Sequence, residues 1–468
     1  MADFLDYARE RLVLFDGGMG TQIQARALSL DDFWGQENCS EVLNLSRPDL
    51  VREIHRAYLE AGADAVETNS FGGSPVTLGE FGLADRALEI NRRAAELAFE
   101  AIAELPPDGR ERFVVGAIGP GTRLPSLGHI DYRTLESALA VQARGLLEGG
   151  VHALLIETCQ DPLQIKAAVN GCRSAFAELG RSVPLLVQVT IETTGTMLVG
   201  TEVAAAAVIV GALDVPVLGL NCATGPKEMA EHVRQLARSW PGPISVQPNA
   251  GLPELREGKT HYPLGPEELA LWLERFVVED GVGFVGGCCG TNEAHIRALD
   301  AMLRRLAPDG FRPRPKARSV RPVPSIASLF SATPLRQENA YLDIGERCNA
   351  NGSKRFREHQ AAGDWDACVA LGREQVREGA NALDVCTAYV GRDEIADMVE
   401  VVRRMRGQVD APLVIDSTEL AVLEAALELY GGKAVLNSIN FEDGEGPAEA
   451  RLRLARKFGA AVIALTID

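Results

Sequence analysis

The sequence predicts an α/β protein: a (β/α)₈ TIM barrel followed by a second, truncated (β/α) barrel. Two observations point there. Over the first 307 residues one unit recurs, a short apolar run that ends in a small or polar loop and leads into a helical pattern, and it recurs eight times. Strands alternating with helices imply parallel pairing, and eight such units imply a closed barrel. After a proline- and arginine-rich break the same rhythm resumes for five more units. With 468 residues, 46% hydrophobic and 24% charged, the chain has the composition of a globular protein of two or three domains.

In order, the strand runs of the first unit are Leu12–Phe15, Ala65–Thr68, Phe113–Ile118, Ala153–Glu157, Leu185–Thr190, Val217–Asn221, Ile244–Asn249 and Gly283–Gly286. Between them lie Asp49–Ala61, Ala87–Leu105, Tyr132–Glu148, Lys227–Trp240 and Gly265–Val278, which are amphipathic and read as helices. Residues 308–339 carry Pro313, Pro315, Pro322 and Pro324 with Arg312, Arg314, Arg318 and Arg321. That composition predicts a semi-extended interdomain strap. Strand runs then follow at Leu342–Gly345, Ala382–Val385, Leu413–Asp416, Ala434–Ser438 and Val462–Thr466, with helical stretches at Asp364–Gly379 and Glu394–Arg406. The expected domains are therefore 1–307, 308–339 and 340–468. Five units of a closing barrel leave an open edge, so the sequence reads as part of a longer protein.

Charge and composition exclude several function classes. The net charge is -18 and no basic stripe is present, which argues against nucleic acid as a partner. The N-terminus is acidic and lacks a signal-peptide pattern. Val203–Leu220 is the most membrane-like stretch, but Asp214 and Pro216 interrupt it, so it predicts a buried helix followed by a strand and no membrane partner. Nine cysteines, an odd number, with no export signal point to a reducing cytoplasm, where thiols bind metal or pack more often than they pair.

In such a barrel the loops after the strands meet at one face, where active sites lie. Two of them carry three cysteines of interest: Cys222 in Gly219-Leu220-Asn221-Cys222, and Cys288 and Cys289 in Gly286-Gly287-Cys288-Cys289-Gly290. Successive strand residues point to opposite faces, so for both adjacent thiols to aim at one point the backbone must turn, and the flanking glycines permit that. Small buried thiols and a vicinal disulfide stand as alternatives to a soft-metal site, for which zinc is the first candidate. Three thiolates on zinc leave one tetrahedral position open and give a complex poor at activating water. Such a complex is suited to binding a fourth thiol and making it a nucleophile. Glu67, Asn69 and Glu192 could line the same mouth but read individually as solvated loop residues, and His295 reads as a surface or packing residue of the following helix. Gly17-Gly18-Met19-Gly20 lacks the spacing and the lysine of a nucleotide loop.

These cysteine segments, with Asp16-Gly17-Gly18-Met19-Gly20-Thr21 near the start, resemble the zinc signature and opening loop of the homocysteine S-methyltransferases. The resemblance implies that Asp16, Gly17 and Glu157 hold the amino-acid end of homocysteine. It also implies that Asn249 occupies the open zinc position when substrate is absent; a turn asparagine is the other reading. A carboxylate such as Glu157 suits an ammonium, and exposed N–H groups suit a carboxylate. Ile344-Gly345-Glu346-Arg347-Cys348-Asn349 resembles the signature of the pterin-binding methyltransferase domains, and Asp384, Asp416 and Asn437 match further strand ends of that family. Glu346, Asn349, Asp384, Asp416 and Asn437 are then the expected contacts to methyltetrahydrofolate, whose pterin edge presents donors and acceptors to such groups; helix capping is the other reading of Asp416-Ser417. Cys348, Cys368 and Cys386 have no metal spacing and are expected to pack or face solvent.

Together the two resemblances imply the N-terminal part of a cobalamin-dependent methionine synthase family member. Zinc on Cys222, Cys288 and Cys289 would activate homocysteine, methylcobalamin would donate the methyl group, and methyltetrahydrofolate would remethylate the cobalamin. No Asp-x-His-x-x-Gly motif occurs, so the cobalamin-binding module would lie outside this chain, and a cofactor shuttling between two sites predicts domains that are not rigidly fused. The alternatives are a methyltransferase taking a sulfonium or betaine donor directly and a non-catalytic zinc protein.

Overall fold

The computed structural model describes residues 3–256, 259–442 and 444–466. Eight parallel strands form the first unit: Val13–Leu14, Ala65–Glu67, Phe113–Ile118, Ala153–Cys159, Leu185–Val189, Val217–Asn221, Ile244–Gln247 and Phe284–Val285. Each pairs with its neighbour in sequence, the eighth pairs with the first, and a parallel bridge between Phe15 and Ala65 closes the ring. The first, seventh and eighth strands are shorter than their apolar runs because the residues after them turn away to build the mouth. The fourth is longer than expected and bulges between Ile156 and Cys159.

Period-two alternation sorts the side chains into two layers. Phe15, Ala65, Phe113, Val115, Leu155, Leu186, Val217 and Phe284 fill the barrel interior. Leu14, Val66, Val114, Leu154, Val187 and Leu218 face the helices. The N-terminal helix Phe4–Glu10, capped by Asp3, plugs the bottom: the Phe4 ring lies 5.1 Å from Phe113 and 5.9 Å from Phe284. Carrying the same alternation toward the C-terminal ends puts Glu67, Glu157, Gln188, Asn221 and Gln247 on the inner face at the mouth.

The outer helices start and stop where local chemistry demands. Pro48–Ala61 opens on proline and ends at Gly62, whose φ of 117° is a conformation side chains rarely adopt. Within that helix His55 is fully buried, and neither ring nitrogen has a partner. Burial pushes its pKa down to about 4. The unfolded chain therefore takes up a proton below pH ~6.5 that the folded chain refuses, so this part of the stability is present above that pH and is lost as the pH falls toward 4. His55→Leu is expected to gain about 2 kcal/mol on the wild type between pH 7 and pH 5, read as the difference in urea unfolding free energies at the two values.

Among the described residues no helix is long and apolar enough to cross a membrane. Val203–Gly211 is a buried helix leading into the sixth strand, as expected. Pro162–Leu179 is buried on nearly every side, Gln164, Lys166 and Asn170 included, so it is covered on both faces. Its inner side packs on the barrel and its outer side on the second unit. There Lys166 Nζ donates to the carbonyls of Tyr430 and Gly432 at 3.0 and 2.6 Å. Asn170 donates to the Lys457 carbonyl at 2.9 Å, and Arg133 pairs with Glu428 at 2.6 Å. The two units thus share a buried polar interface in this structure.

Residues 308–339 are also more structured than a strap. Arg312 is buried against Asp64 (2.6 Å) and Asp300 (2.8 Å). Arg318 donates to the carbonyls of Ala237 and Trp240 at the end of a barrel helix. Ser325–Ala327 and Ala332–Pro334 then form an antiparallel pair, and Ala327 bridges to Lys433 of the second unit. That second unit is a parallel sheet in sequence order, Ile344–Asn349, Ala382–Cys386, Leu413–Asp416, Val435–Ile439 and Ala461–Ala464. Cys348, Cys368 and Cys386 are all buried in it.

Candidate metal and substrate site

Cys222, Cys288 and Cys289 converge at the mouth of the first barrel, with their sulfurs all within 4.8 Å of one another. Backbone hydrogen bonds set this up. The Gly287 N–H donates to the Asp16 carbonyl (3.0 Å) and the Cys288 N–H to the Pro248 carbonyl (2.9 Å), so the chain after the eighth strand stays clamped between its neighbours. Gly290 then takes φ 82°, and a Cβ there would lie 2.2 Å from the Tyr262 ring. On the sixth strand Cys222 and Ala223 both adopt left-handed backbone, at φ 58° and 53°. Such strain in non-glycine residues costs of order 1–3 kcal/mol each and persists where surrounding bonds over-determine it. Here the Cys222 N–H donates to the Gln247 carbonyl and the Thr224 N–H to the Cys222 carbonyl.

All nine cysteines are free thiols, so Cys288 and Cys289 are not a vicinal disulfide. The Cys222 and Cys289 sulfurs stand 3.9 Å apart. Zinc–sulfur bonds of about 2.3 Å place two sulfurs of a tetrahedron about 3.8 Å apart. The trio therefore fits a soft tetrahedral cation with little movement. The thiols of Cys222 and Cys288 hydrogen-bond to Cys289 and hold its pKa well below the usual thiol range, while their own rise. Asn249 is buried beside them, its Oδ1 accepting the Cys289 N–H at 3.1 Å.

Next to the sulfurs lies an acidic well. Asp16 is buried; its Oδ2 accepts the Glu67 N–H at 3.1 Å, and its Oδ1 has no partner. Glu157 reaches in from the bulge of the fourth strand, where Thr158 takes φ 55°. Asn221 holds it: Nδ2 donates to Glu157 Oε2 at 3.3 Å, and Oδ1 accepts the Thr158 N–H at 2.9 Å. Burial, followed by the Glu67 charge, raises the pKa of both Asp16 and Glu157. The Gly17 N–H at the rim finds no acceptor among the described residues.

Glu67 is corrected from a solvated loop residue to an inner-face residue of the second strand, accepting from Gln247 Nε2 at 2.6 Å across the barrel. Asn69 is likewise buried, donating to the Ser40 carbonyl and to Asn44 Oδ1. Glu192 is half-buried in the loop after the fifth strand. His295 packs: Nε2 donates to the Leu264 carbonyl at 3.0 Å, and Nδ1 caps the helix start with Asn292. Gln247 and Tyr262 escaped the sequence reading, and Asn221 entered it only as part of the cysteine motif; period-two counting from Ile244 would have turned Gln247 inward.

In the second unit Asn349 donates to Asp384 (2.9 Å) and Asp416 (3.1 Å), and Asn437 donates to Asp384 (3.3 Å). Four of the five expected pterin contacts thus form one cluster. Glu346 stands at the exposed edge of the sheet, outside these hydrogen bonds but near enough for its charge to raise the pKa of both aspartates. Asp416 does not cap the following helix, which begins after Glu419 with no side-chain cap; its carboxylate is taken by Asn349.

The profile of the homocysteine S-methyltransferase family matches residues 13–303, and that of the pterin binding enzymes matches residues 345–468. The chain is 49% identical over 470 aligned positions to a methionine synthase of Mycobacterium tuberculosis and 48% identical to one of Mycobacterium leprae. All of this chain aligns, but it spans only 39% of the length of those relatives. Among solved structures, the homocysteine methyltransferase MmuM of Escherichia coli in its oxidized form is similar, with a TM-score of 0.51 and 25% identity over 64% of this chain and 98% of that one.

Proposed function

Since the chain belongs to the homocysteine S-methyltransferase family, we propose that it is the homocysteine- and folate-binding portion of a methionine synthase. In this reading the first barrel takes a methyl group from methylcobalamin onto homocysteine, and the second unit presents methyltetrahydrofolate for remethylation of the cobalamin. The cobalamin-binding module is a partner outside these residues. The observation that carries the reading is the convergence of the Cys222, Cys288 and Cys289 sulfurs at the mouth of a barrel. These three residues would hold zinc. When bound, zinc with three sulfur ligands supplies a fourth position at which a substrate thiol is held deprotonated at neutral pH.

The chain's own residues bind and orient homocysteine. Asp16, with its orphaned buried oxygen, and Glu157, held by Asn221, receive the ammonium. The free Gly17 N–H receives the carboxylate. Asn249, whose Oδ1 accepts the Cys289 N–H, would be the residue placed to take the open metal position when substrate is absent. In the second unit Asn349, Asp384, Asp416 and Asn437 line the pterin site, with Glu346 at its edge. The pairing of this cluster with the sulfur site favours a folate-fed donor over direct transfer from a sulfonium or betaine.

The test is methionine formation by the purified chain from homocysteine and added methylcobalamin. Stripping the metal with a chelator is expected to abolish it, and zinc to restore it; undiminished turnover by metal-free protein would overturn the proposal. A second expectation concerns pH. Burial, then the Asp384 charge, raises Asp416 to about 6. If its carboxylate accepts from the pterin, binding is intact above that value and fades below it. The Kd for methyltetrahydrofolate is then expected to rise about tenfold from pH 7 to pH 5. A flat profile by fluorescence titration would remove Asp416 from the contact set.

A further inference from the structure

Three carboxylates face the mouth of the first barrel, Asp16 and Glu157 buried and Glu67 half-buried, and none of them forms an ion pair with a described residue. Asp16 follows the first strand, Glu67 ends the second and Glu157 lies on the fourth. Their recorded partners are all neutral: Asp16 accepts a backbone N–H, Glu67 accepts from Gln247, and Glu157 accepts from Asn221 and Thr158. The buried Asp16 Oδ1 accepts from nothing. Burying even one unpaired carboxylate is costly, so a mouth with two buried and a third half-buried beside them is built for a cation that arrives with its ligand.

We propose that Glu67 is the third carboxylate of the ammonium pocket, facing the substrate's α-amino group together with Asp16 and Glu157 and selecting amino thiols over plain thiols. The inference rests on the homocysteine reading of the site and adds a residue to it. Glu67 is positioned from two sides. Gln247, from the opposite wall, donates to Oε1, and Gln247 is itself backed by Gln188, which also donates to Ser245 Oγ at 2.7 Å. On the near side the Glu67 N–H binds Asp16, which ties the two acids together. A neutral glutamine from the far wall fixes the carboxylate's direction without cancelling its charge, which is what a cation pocket needs.

The charged groups facing Glu67 are Asp16 and Glu157, with Cys289 beyond Glu157; Gln247 and Gln188 are neutral. Burial pushes the Glu67 carboxyl up to about 7, against the opposing Gln247 hydrogen bond. The empty pocket thus keeps part of a proton near neutrality, and an arriving ammonium displaces it.

Calorimetry of the zinc-loaded chain in two buffers of different ionisation enthalpy tests this, with homocysteine and 4-mercaptobutanoate, its analogue without the amine. The wild type is expected to prefer homocysteine at least 30-fold. At pH 7 it should release about half a proton more with homocysteine than with the analogue. In Glu67→Gln the preference is expected to fall at least tenfold and the proton difference to vanish, with affinity for 4-mercaptobutanoate undiminished. Unchanged preference and proton release in Glu67→Gln would overturn the proposal. Should that variant not fold, Glu67→Asp retracts the charge by one methylene and is expected to lose most of the preference; full preference would equally overturn it. If the wild type bound neither thiol, the homocysteine reading itself would fail, a result distinct from a Glu67 variant that still discriminates.

Discussion

Cys288→Ala is expected to leave the barrel folded, to empty it of zinc and to lower methionine formation at least a thousandfold, about 4 kcal/mol of transition-state stabilisation. The fold should survive because nothing that shapes the mouth depends on this thiol. Backbone hydrogen bonds from Gly287 and Cys288 hold the chain after the eighth strand, and the left-handed pair Cys222–Ala223 is fixed by backbone bonds of its own. Two thiols remain, but two sulfur ligands no longer complete a site that leaves a single open position. The substrate thiol would then keep its ordinary pKa of ~8.5 and be mostly protonated at neutral pH. Metal content by atomic absorption, circular dichroism and turnover separate the outcomes. Global unfolding on loss of the thiol would make the metal structural and remove the catalytic reading.

Arg312→Met is expected to destabilise the chain by about 3–5 kcal/mol, the usual cost of stranding one member of a buried ion pair. Most of the ion pairs in this protein are exposed and each contributes about 0–1 kcal/mol. This one differs because both Arg312 and Asp64 side chains are fully shielded. Asp64 also accepts the Leu14 N–H at 2.9 Å, so it anchors the shortest edge of the barrel closure as well as the strap. Arg110, at 3.1 Å from Asp64, offsets part of the loss. Urea unfolding reads the change, and the double variant Asp64→Leu/Arg312→Met should recover much of it, since an apolar pair carries no uncompensated charge. A loss below about 1 kcal/mol in the single variant would show that the strap is not held here.

Much of the first unit was legible because its signals are local. An apolar run of four to six residues followed by an amphipathic helix announces a β/α unit wherever it occurs, and eight of them leave one closed solution. Cys222, Cys288 and Cys289 were legible for a different reason: three thiols at strand ends of one barrel face form an uncommon pattern, and their sulfurs do converge. The hairpin at Ser325–Ala327 was not legible, because prolines and arginines mask two three-residue strands that exist only by packing between the units. Nor was the interface at Lys166, whose amphiphilic side chain reads as solvent-facing until Tyr430 and Gly432 are placed opposite.

By itself, then, the sequence determined the order of strands and helices, the closed barrel they make and the residues able to hold a soft metal, all of which follow from short-range pattern and intrinsic side-chain chemistry. Only the tertiary structure decided which acids share the mouth. Glu67 and Glu192 look alike as loop-border glutamates in sequence. Both are half-buried, but the pleat turns Glu67 inward, where Gln247, 180 residues away, meets it across the barrel. Burial and charge pairing depend on what stands opposite, and that is a property of the closed ring.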